Sequence, residues 1–295
     1  MSRRKIFVLI NPFSGGRKKS KTLSHLTEAL KAENFDFEVF DTSKEKNATE
    51  VVSNSLDESF TDLIILGGDG TINEAINGLK YDVPFSILPC GTGNDFVKNF
   101  NLGSSKHEQI LTAIHGQVKE IDLGMCNDRI FLNGVGIGFD GQIVEDMLHK
   151  RVPILKGHAA YYYHVLRILG SYKERKFDFE IDGNQFSKDL ILLTVGNGTT
   201  FGGGFKLMPD AKVDDGKLQI CEIGKLGPLR RFTNIHRLSN GSHDKLGEVN
   251  LVEAKSVRIE KNPLLFGHID GEWLGQPPFD IKVLPAAAKI RVASL

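Results

Sequence analysis

The chain has 295 residues, 40% of them hydrophobic and 25% charged, with 37 basic against 37 acidic side chains and a net charge of zero. That length favours two domains over one, and the even balance excludes bulk polyanion binding, so no nucleic-acid partner is expected. Three widely spaced cysteines, Cys90, Cys126 and Cys221, fit a reducing compartment, and no apolar run nears the ~18 residues of a membrane span, so a soluble cytoplasmic protein is expected.

The first third alternates strands and helices. Lys5 to Ile10 reads as a strand that Asn11 and Pro12 end, too short for a signal peptide. The loop NPFSGG and a helix over about Lys18 to Glu33 follow, then a strand from Phe37 to Asp41 and a helix from about Ala48 to Leu56. The apolar run Leu63 to Leu66 fits a parallel strand buried on both faces. It leads into Gly67, Gly68, Asp69, Gly70 and Thr71, where Thr71 and Glu74 have the spacing of a helix capping box. A short strand from Phe85 to Leu88 then meets GTGNDF and a further helix. Repeated strand–helix units imply a parallel sheet whose ligands bind at the carboxyl ends of its strands, where all three glycine-containing loops fall.

Near Ile121 the texture becomes β-rich. Asp122 to Cys126 and Arg129 to Val135 predict a hairpin about Asn127-Asp128, and Phe177 to Asp182 with Leu190 to Val195 predict another about Gly183-Asn184. Strand-like stretches recur at 217–223, 250–260, 264–273 and 279–284, with helices at about 141–150, 158–172 and 227–239. The last strand, Ala288 to Ala293, is placed back in the first domain. The expected division is 1–122 plus 287–295 for the α/β domain and 123–286 for the β-rich one.

Several segments carry chemistry. In GGDGT the glycines let backbone approach an anion, the following helix N-terminus suits phosphate, and Asp69 stands where a phosphate-bound Mg²⁺ would sit. Asn11 to Gly15 offers backbone amides and the Ser14 hydroxyl to phosphate, and Thr92 offers another hydroxyl, while Asn94 is read as a helix cap. Residues 136–141 fit GxGxxG but are read as a structural glycine turn, and no GxxxxGK[ST] loop occurs. Asp210, Asp214 and Asp215 in KLMPDAKVDDGKL suit either a hard cation or a metal-free turn. In FGHIDGEWL, an extended strand would project Asp270 and Glu272 to one side, as a general base and a Mg²⁺ partner; a surface turn is the alternative. His158 and His268 are read as polar core or surface residues. The basic clusters Arg3, Arg4 and Lys5; Arg17, Lys18, Lys19 and Lys21; and Arg230, Arg231 and Arg237 read as solvated faces, and the 227–239 helix as docked or lying on an anionic bilayer.

The ordered set NPFSG, GGDGTINEAINGL, PCGTGNDF, GFDG, GNG…GGG…MPDAKVDDGKL and HIDGE resembles the diacylglycerol kinase catalytic family, collinearly from about residue 6 onward. The resemblance implies an α/β fold: a phosphofructokinase-like nucleotide-binding domain plus a β-rich sandwich domain, with a cleft between them. It implies that Asn11, Pro12, Phe13, Ser14, Gly15, Thr42, Gly67, Gly68, Asp69, Gly70, Thr71 and Thr92 contact ATP. By the same resemblance Glu272 is the general base, Asp270 its catalytic neighbour, and Asp69 a link to the metal network. A structural Mg²⁺ would be held by the Asp215 side chain and the Lys212 and Lys217 carbonyls.

The implied reaction moves the γ-phosphoryl of ATP to diacylglycerol, giving phosphatidic acid at the inner face of the membrane, with anionic phospholipid as the docking partner. Oligomeric state is open, a homodimer included. Rival readings are a kinase of ceramide, sphingosine, undecaprenol, NAD or a sugar phosphate, a non-catalytic nucleotide- or lipid-binding regulator, and, more distantly, a GxGxxG oxidoreductase.

Overall fold

A computed structural model of the chain describes residues 4–12, 16–43, 45–150 and 158–294. It divides into one unit of residues 1–121 and 286–295 and a second of residues 122–285.

The first unit runs β1 (Lys5–Ile10), α1 (Gly16–Ala32), β2 (Asp36–Asp41), α2 (Ala48–Ser55), β3 (Asp62–Gly67), α3 (Asp69–Asn77), β4 (Phe85–Pro89), a 3₁₀ turn (Phe96–Asn99) and α4 (Lys106–His115). Strands pair in parallel in the order β2-β1-β3-β4. Ile6, Val8, Ile10, Ile64 and Leu66 pack one sheet face against Leu26 and Leu30 of α1 and Ile110 and Ile114 of α4. On β1 the alternate residue Phe7 stacks on Phe40 at 4.0 Å and meets Phe60 edge-on at 5.1 Å. Both faces are apolar because helices cover both, as the continuous hydrophobic strands imply.

The second unit adds β5 (Gln117–Cys126, begun in the first unit), β6 (Arg129–Phe131), β7 (Gly134–Gly138), α5 (Phe139–His149), α6 (His158–Leu169), β8 (Arg175–Ile181), β9 (Asn184–Leu190), β10 (Leu192–Gly196), β11 (Leu218–Ile223), α7 (Pro228–Asn240), β12 (Val249–Ala254), β13 (Ser256–Ile259), β14 (Gly267–Ile269), β15 (Glu272–Gly275) and β16 (Phe279–Val292). An antiparallel sheet in the order β12-β11-β10-β7-β14-β15 faces strands β16, β13, β8 and β9. Val135, Ile137, Val195 and Ile220 pack against Phe177, Phe179, Ile259 and Phe279 in the layer between. The other face of the six-stranded sheet is covered by α5, α6 and α7 through Phe139, Ile143, Val165, Leu169, Ile235 and Leu238. This is the expected α/β chain with a β-sandwich part.

β16 ends in the first unit, where Ile290 pairs in parallel with Phe85 of β4. Asp62, 2% exposed, accepts from Nε and Nη2 of both Arg4 and Arg291, while the arginines also donate to the Ile114 and Gly116 carbonyls. Burial alone would raise the Asp62 pKa, but hydrogen bonds from Arg4, Thr61 and Arg291 outweigh it and hold it below the ordinary carboxylate value. Arg4 is therefore an internal ion-pair residue. Arg231 is likewise buried, donating to the Leu226, Leu169 and Tyr172 carbonyls and pairing with Glu174. Neither arginine belongs to a solvated face.

Local expectations fail where strands change sheets. The strand expected over 129–135 breaks after Phe131, because β6 pairs with β5 whereas β7 joins the other sheet. The 190–195 strand divides at Ile191 for the same reason, and the preceding turn is Asp182-Gly183, with φ of 45° and 86°, while Asn184 already belongs to β9. The stretch 264–273 contains a turn rather than one strand. The capping box at Thr71 does not form: α3 starts at Asp69 after Gly68, and Glu74 accepts instead from Ala48 N–H at 2.9 Å, the first residue of α2.

Candidate active site

On the first unit the described loop residues gather at the carboxyl ends of β1, β3 and β4. Asn11 follows β1, with its Nδ2 3.4 Å from the Thr71 hydroxyl and its carbonyl accepting from the Lys19 ammonium at 2.7 Å. Pro12 is exposed. Phe13, Ser14 and Gly15 lie outside the described residues. Thr42 follows β2; its N–H donates to the Ile10 carbonyl, and its buried hydroxyl finds no protein partner among the described residues. A buried hydroxyl left in that state is one that a ligand oxygen or nitrogen can satisfy.

Two glycine loops touch backbone to backbone. A Cβ on Gly91 would come within 2.7 Å of the Gly68 Cα, and one on Gly67 within 2.6 Å of the Thr71 Cβ, so neither position accepts a side chain. Gly70 faces open space and Thr92 is exposed. Asn94, at φ 49°, does not cap a helix. Its side chain both accepts from Gly91 N–H and donates to the Gly91 carbonyl, closing its own loop.

Asp69 heads α3 and accepts from Phe96 N–H at 3.1 Å. Burial raises its pKa above the usual carboxylate value, and the Asp95 charge adds to this against backbone hydrogen bonds from Phe96 and Asp95. Asp95 is itself buried and paired with Lys98 at 2.6 Å. Sequence reasoning passed over Asp95, although its place in GTGNDF was a signal.

On the second unit, Asp270 and Glu272 do not share a strand face. Asp270 (φ 47°) and Gly271 (φ 86°) form the tight turn between β14 and β15. Asp270 turns inward: its oxygens accept from Leu132 N–H at 2.7 Å, Asn133 N–H at 2.9 Å and Gly134 N–H at 2.8 Å. These donors lie where the chain crosses from β6 to β7. Glu272 opens β15, 48% exposed, and pairs with the Arg129 guanidinium at 2.7 Å. The left-handed turn separates the two carboxylates, one anchored by backbone amides and one exposed and ion-paired with Arg129. Nothing local in the sequence marked Arg129, which lies 143 residues away.

Asp215 is exposed and accepts from Lys217 N–H at 3.1 Å, an Asx-type turn; Gly216 N–H donates to Asp122 at 2.6 Å, and the Lys217 ammonium pairs with Glu253. Among the described residues no three His, Cys, Asp or Glu side chains form a metal cluster. In the GxGxxG segment the glycines are structural: a Gly141 Cβ would fall 1.9 Å from the Phe266 carbonyl oxygen.

Residues 5–126 match the diacylglycerol kinase catalytic domain, and residues 133–292 match the YegS C-terminal NAD kinase beta sandwich-like domain. A Staphylococcus saprophyticus protein named diacylglycerol kinase is 32% identical over 281 residues, covering 94% of this chain and 91% of its own. A Staphylococcus aureus protein of that name is 30% identical, covering 94% and 88%. A crystal structure of a diacylglycerol kinase from Bacillus anthracis str. Sterne aligns with TM-score 0.76 at 25% identity, covering 99% of this chain and 98% of that one. An ATP complex of an Archaeoglobus fulgidus NAD kinase shares the fold at TM-score 0.53 and 16% identity, covering 97% and 93%.

Proposed function

This chain belongs to the diacylglycerol kinase family, a family of phosphotransferases, and we propose that it transfers the γ-phosphoryl group of ATP to the hydroxyl of diacylglycerol, giving phosphatidic acid and ADP. The observation that carries this reading is the meeting of the GGDGT and GTGND loops, Gly68 against Gly91, beside Asn11 at the ends of three parallel strands. Such loops present backbone N–H groups to phosphate.

Asn11, Pro12, Phe13, Ser14, Gly15, Gly67, Gly68, Gly70, Thr71 and Thr92 serve the nucleotide, and the Thr42 hydroxyl, without a partner among the described residues, supports its place among them. Asp69, with Asp95 beside it, would hold the ATP-bound Mg²⁺, which supplies positive charge against the phosphates. The Asp215 oxygen set would hold the structural ion. Glu272 accepts the proton of the acceptor hydroxyl as its oxygen forms the new bond to the γ-phosphorus and the bond to the β–γ bridging oxygen breaks. Asp270 anchors the turn on which Glu272 stands. Positioning and electrostatics supply most of the acceleration in such a transfer.

Among the described residues no helix is long and apolar enough to cross a membrane. A diacylglycerol acceptor lies in a bilayer, and we propose that the protein reaches it by docking on the membrane surface. Supporting this, α6 and α7 carry no acidic residue. Leu166 and Leu229 stand 51% and 77% exposed, Tyr163 and Phe232 are exposed on the same two helices, and the Phe232 ring lies over Gly170 at the end of α6. Lys173 follows α6 and Lys225 precedes α7 in the chain, and both are exposed. Anionic phospholipid is the partner this face suits.

The test is labelled ATP offered with diacylglycerol, ceramide, sphingosine, undecaprenol and NAD. Diacylglycerol should be phosphorylated fastest; preference for NAD or another acceptor would sink the assignment. Vesicle sedimentation should rise with phosphatidylglycerol, fall with salt and weaken in Leu229→Glu; flat behaviour removes the docking claim.

A further inference from the structure

His268 lies two residues before Asp270 and is assigned no part in the reaction above. It is 8% exposed, on β14, in register with Gly136 of β7 on one side and Trp273 of β15 on the other. Its Nδ1 receives the Gly271 N–H at 3.3 Å. Gly271 is the residue between the anchored Asp270 and the exposed Glu272, so this bond bears on the peptide from which Glu272 extends.

The surroundings make room for the ring. A Cβ on Gly136 would lie 2.4 Å from His268 Nε2 and 3.0 Å from Asp140 Oδ2, so only glycine lets both side chains occupy that space. Asp140 in turn accepts from the Thr194 hydroxyl at 2.9 Å, and Thr194 is in register with Gly136 on the next strand. Thr194, Gly136, His268 and Trp273 thus form one row across four strands, ending at the residue after Glu272.

We propose that His268 is a positioning residue for phosphoryl transfer, holding the Gly271 amide so that the Glu272 carboxylate is presented to the acceptor hydroxyl in a fixed direction. This rests on Glu272 being the base. Accepting at Nδ1 requires a ring that is unprotonated there. Burial keeps the ring neutral, lowering its pKa to about 4. The proton then sits on Nε2, on the side facing Gly136 and Asp140. A displacement of about 1 Å at a reacting group can cost ~100-fold in rate, so a single amide hydrogen bond under the base has leverage.

The experiment compares His268→Leu, His268→Asn, Glu272→Gln and the double variant His268→Leu/Glu272→Gln, with ATP and the lipid the wild type accepts. His268→Leu should lower kcat by about 10- to 100-fold with KM for ATP unchanged. His268→Asn, whose Oδ1 can take the place of Nδ1, should recover most of that loss. In the Glu272→Gln background, His268→Leu should cost nothing further, because its effect runs through the missing base. If His268→Leu does not fold, His268→Ser, too short to reach Gly271, replaces it. If Glu272→Gln is inactive while the His268 variants keep kcat within twofold, or if the losses multiply in the double variant, the inference is overturned. Wild-type kcat in Glu272→Gln, or a wild type that phosphorylates no acceptor, overturns instead the reading on which it rests.

Discussion

Two hairpin turns of the β-rich unit are near copies, and they do different things. Asp182-Gly183 joins β8 to β9 and Asp270-Gly271 joins β14 to β15; the aspartates have φ of 45° and 47°, and both glycines 86°. Each aspartate reaches across to a point where the chain changes sheets. Asp182 accepts from Lys255 and Ser256 N–H between β12 and β13, and Asp270 accepts from residues 132–134 between β6 and β7. The anchoring device is the same: a short carboxylate in a left-handed turn, satisfying amides at the joint where one ladder ends and the next begins. The difference lies one step to either side. Asp182 is followed two positions on by Asn184 and preceded by Glu180, both on open strands. Asp270 is followed by the exposed Glu272 and preceded by the buried His268. A structural turn becomes a candidate catalytic one by gaining an acid above it and a fixed support below it.

The comparison is broken most directly at the residue after the glycine. Glu272→Gln should lower kcat by about 10²- to 10⁴-fold, the range of a general base, with ATP affinity unchanged, whereas Asn184→Ala should leave the rate alone. Steady-state kinetics with nucleotide titration checks both, and equal rates for Glu272→Gln and wild type would make the two turns equivalent. Next come the anchors. Asp270→Ala removes three charge-assisted bonds and should destabilise the fold by about 2–3 kcal/mol while lowering kcat. Asp182→Ala should cost about 0.5–2 kcal/mol, like a lost helix cap, without a kinetic effect. Denaturant unfolding alongside kinetics separates them; a kinetic effect at Asp182 would show that anchoring alone explains both turns. The smaller contrast is at the glycines, where an alanine meets no neighbour in either turn. Gly183→Ala and Gly271→Ala should therefore lose a similar ~1–2 kcal/mol from backbone strain, with only the second reducing kcat.

A third aspartate sharpens the picture by contrast. Backbone N–H groups donate to Asp69 too, yet burial first and the Asp95 charge second raise its pKa. The sign follows: the folded state holds the proton more tightly than the unfolded one, so Asp69 costs stability above the ordinary carboxylate pKa and nothing well below it. Asp69→Asn should thus slightly raise Tm at neutral pH, the gain fading as pH falls below that range, while impairing ATP use. A Tm gain that persists or grows in acid would count against a raised Asp69 pKa.

Much of the first unit was legible. Apolar runs such as Leu63–Leu66, alternating with helical segments, imply a parallel sheet covered on both faces, and glycines at their ends imply close backbone approach. The misreadings were local rules displaced by distant partners. Glu74 has the spacing to cap its own helix but caps α2, and Asn94 closes its own loop instead of starting a helix. The sandwich was less legible, because a strand that changes sheets at residues 132–133, 191 or 255 looks continuous in hydrophobic pattern.

The DGE segment divides most sharply between the two levels. Its composition alone determined that two carboxylates and a flexible glycine stand together near the end of the chain, beside a histidine. That Asp270 turns inward, Glu272 outward toward Arg129, and His268 beneath Gly271 was decided only by tertiary structure. The partners lie 136 to 143 residues away, and no local periodicity encodes which amides a left-handed aspartate will meet when two sheets close over one core.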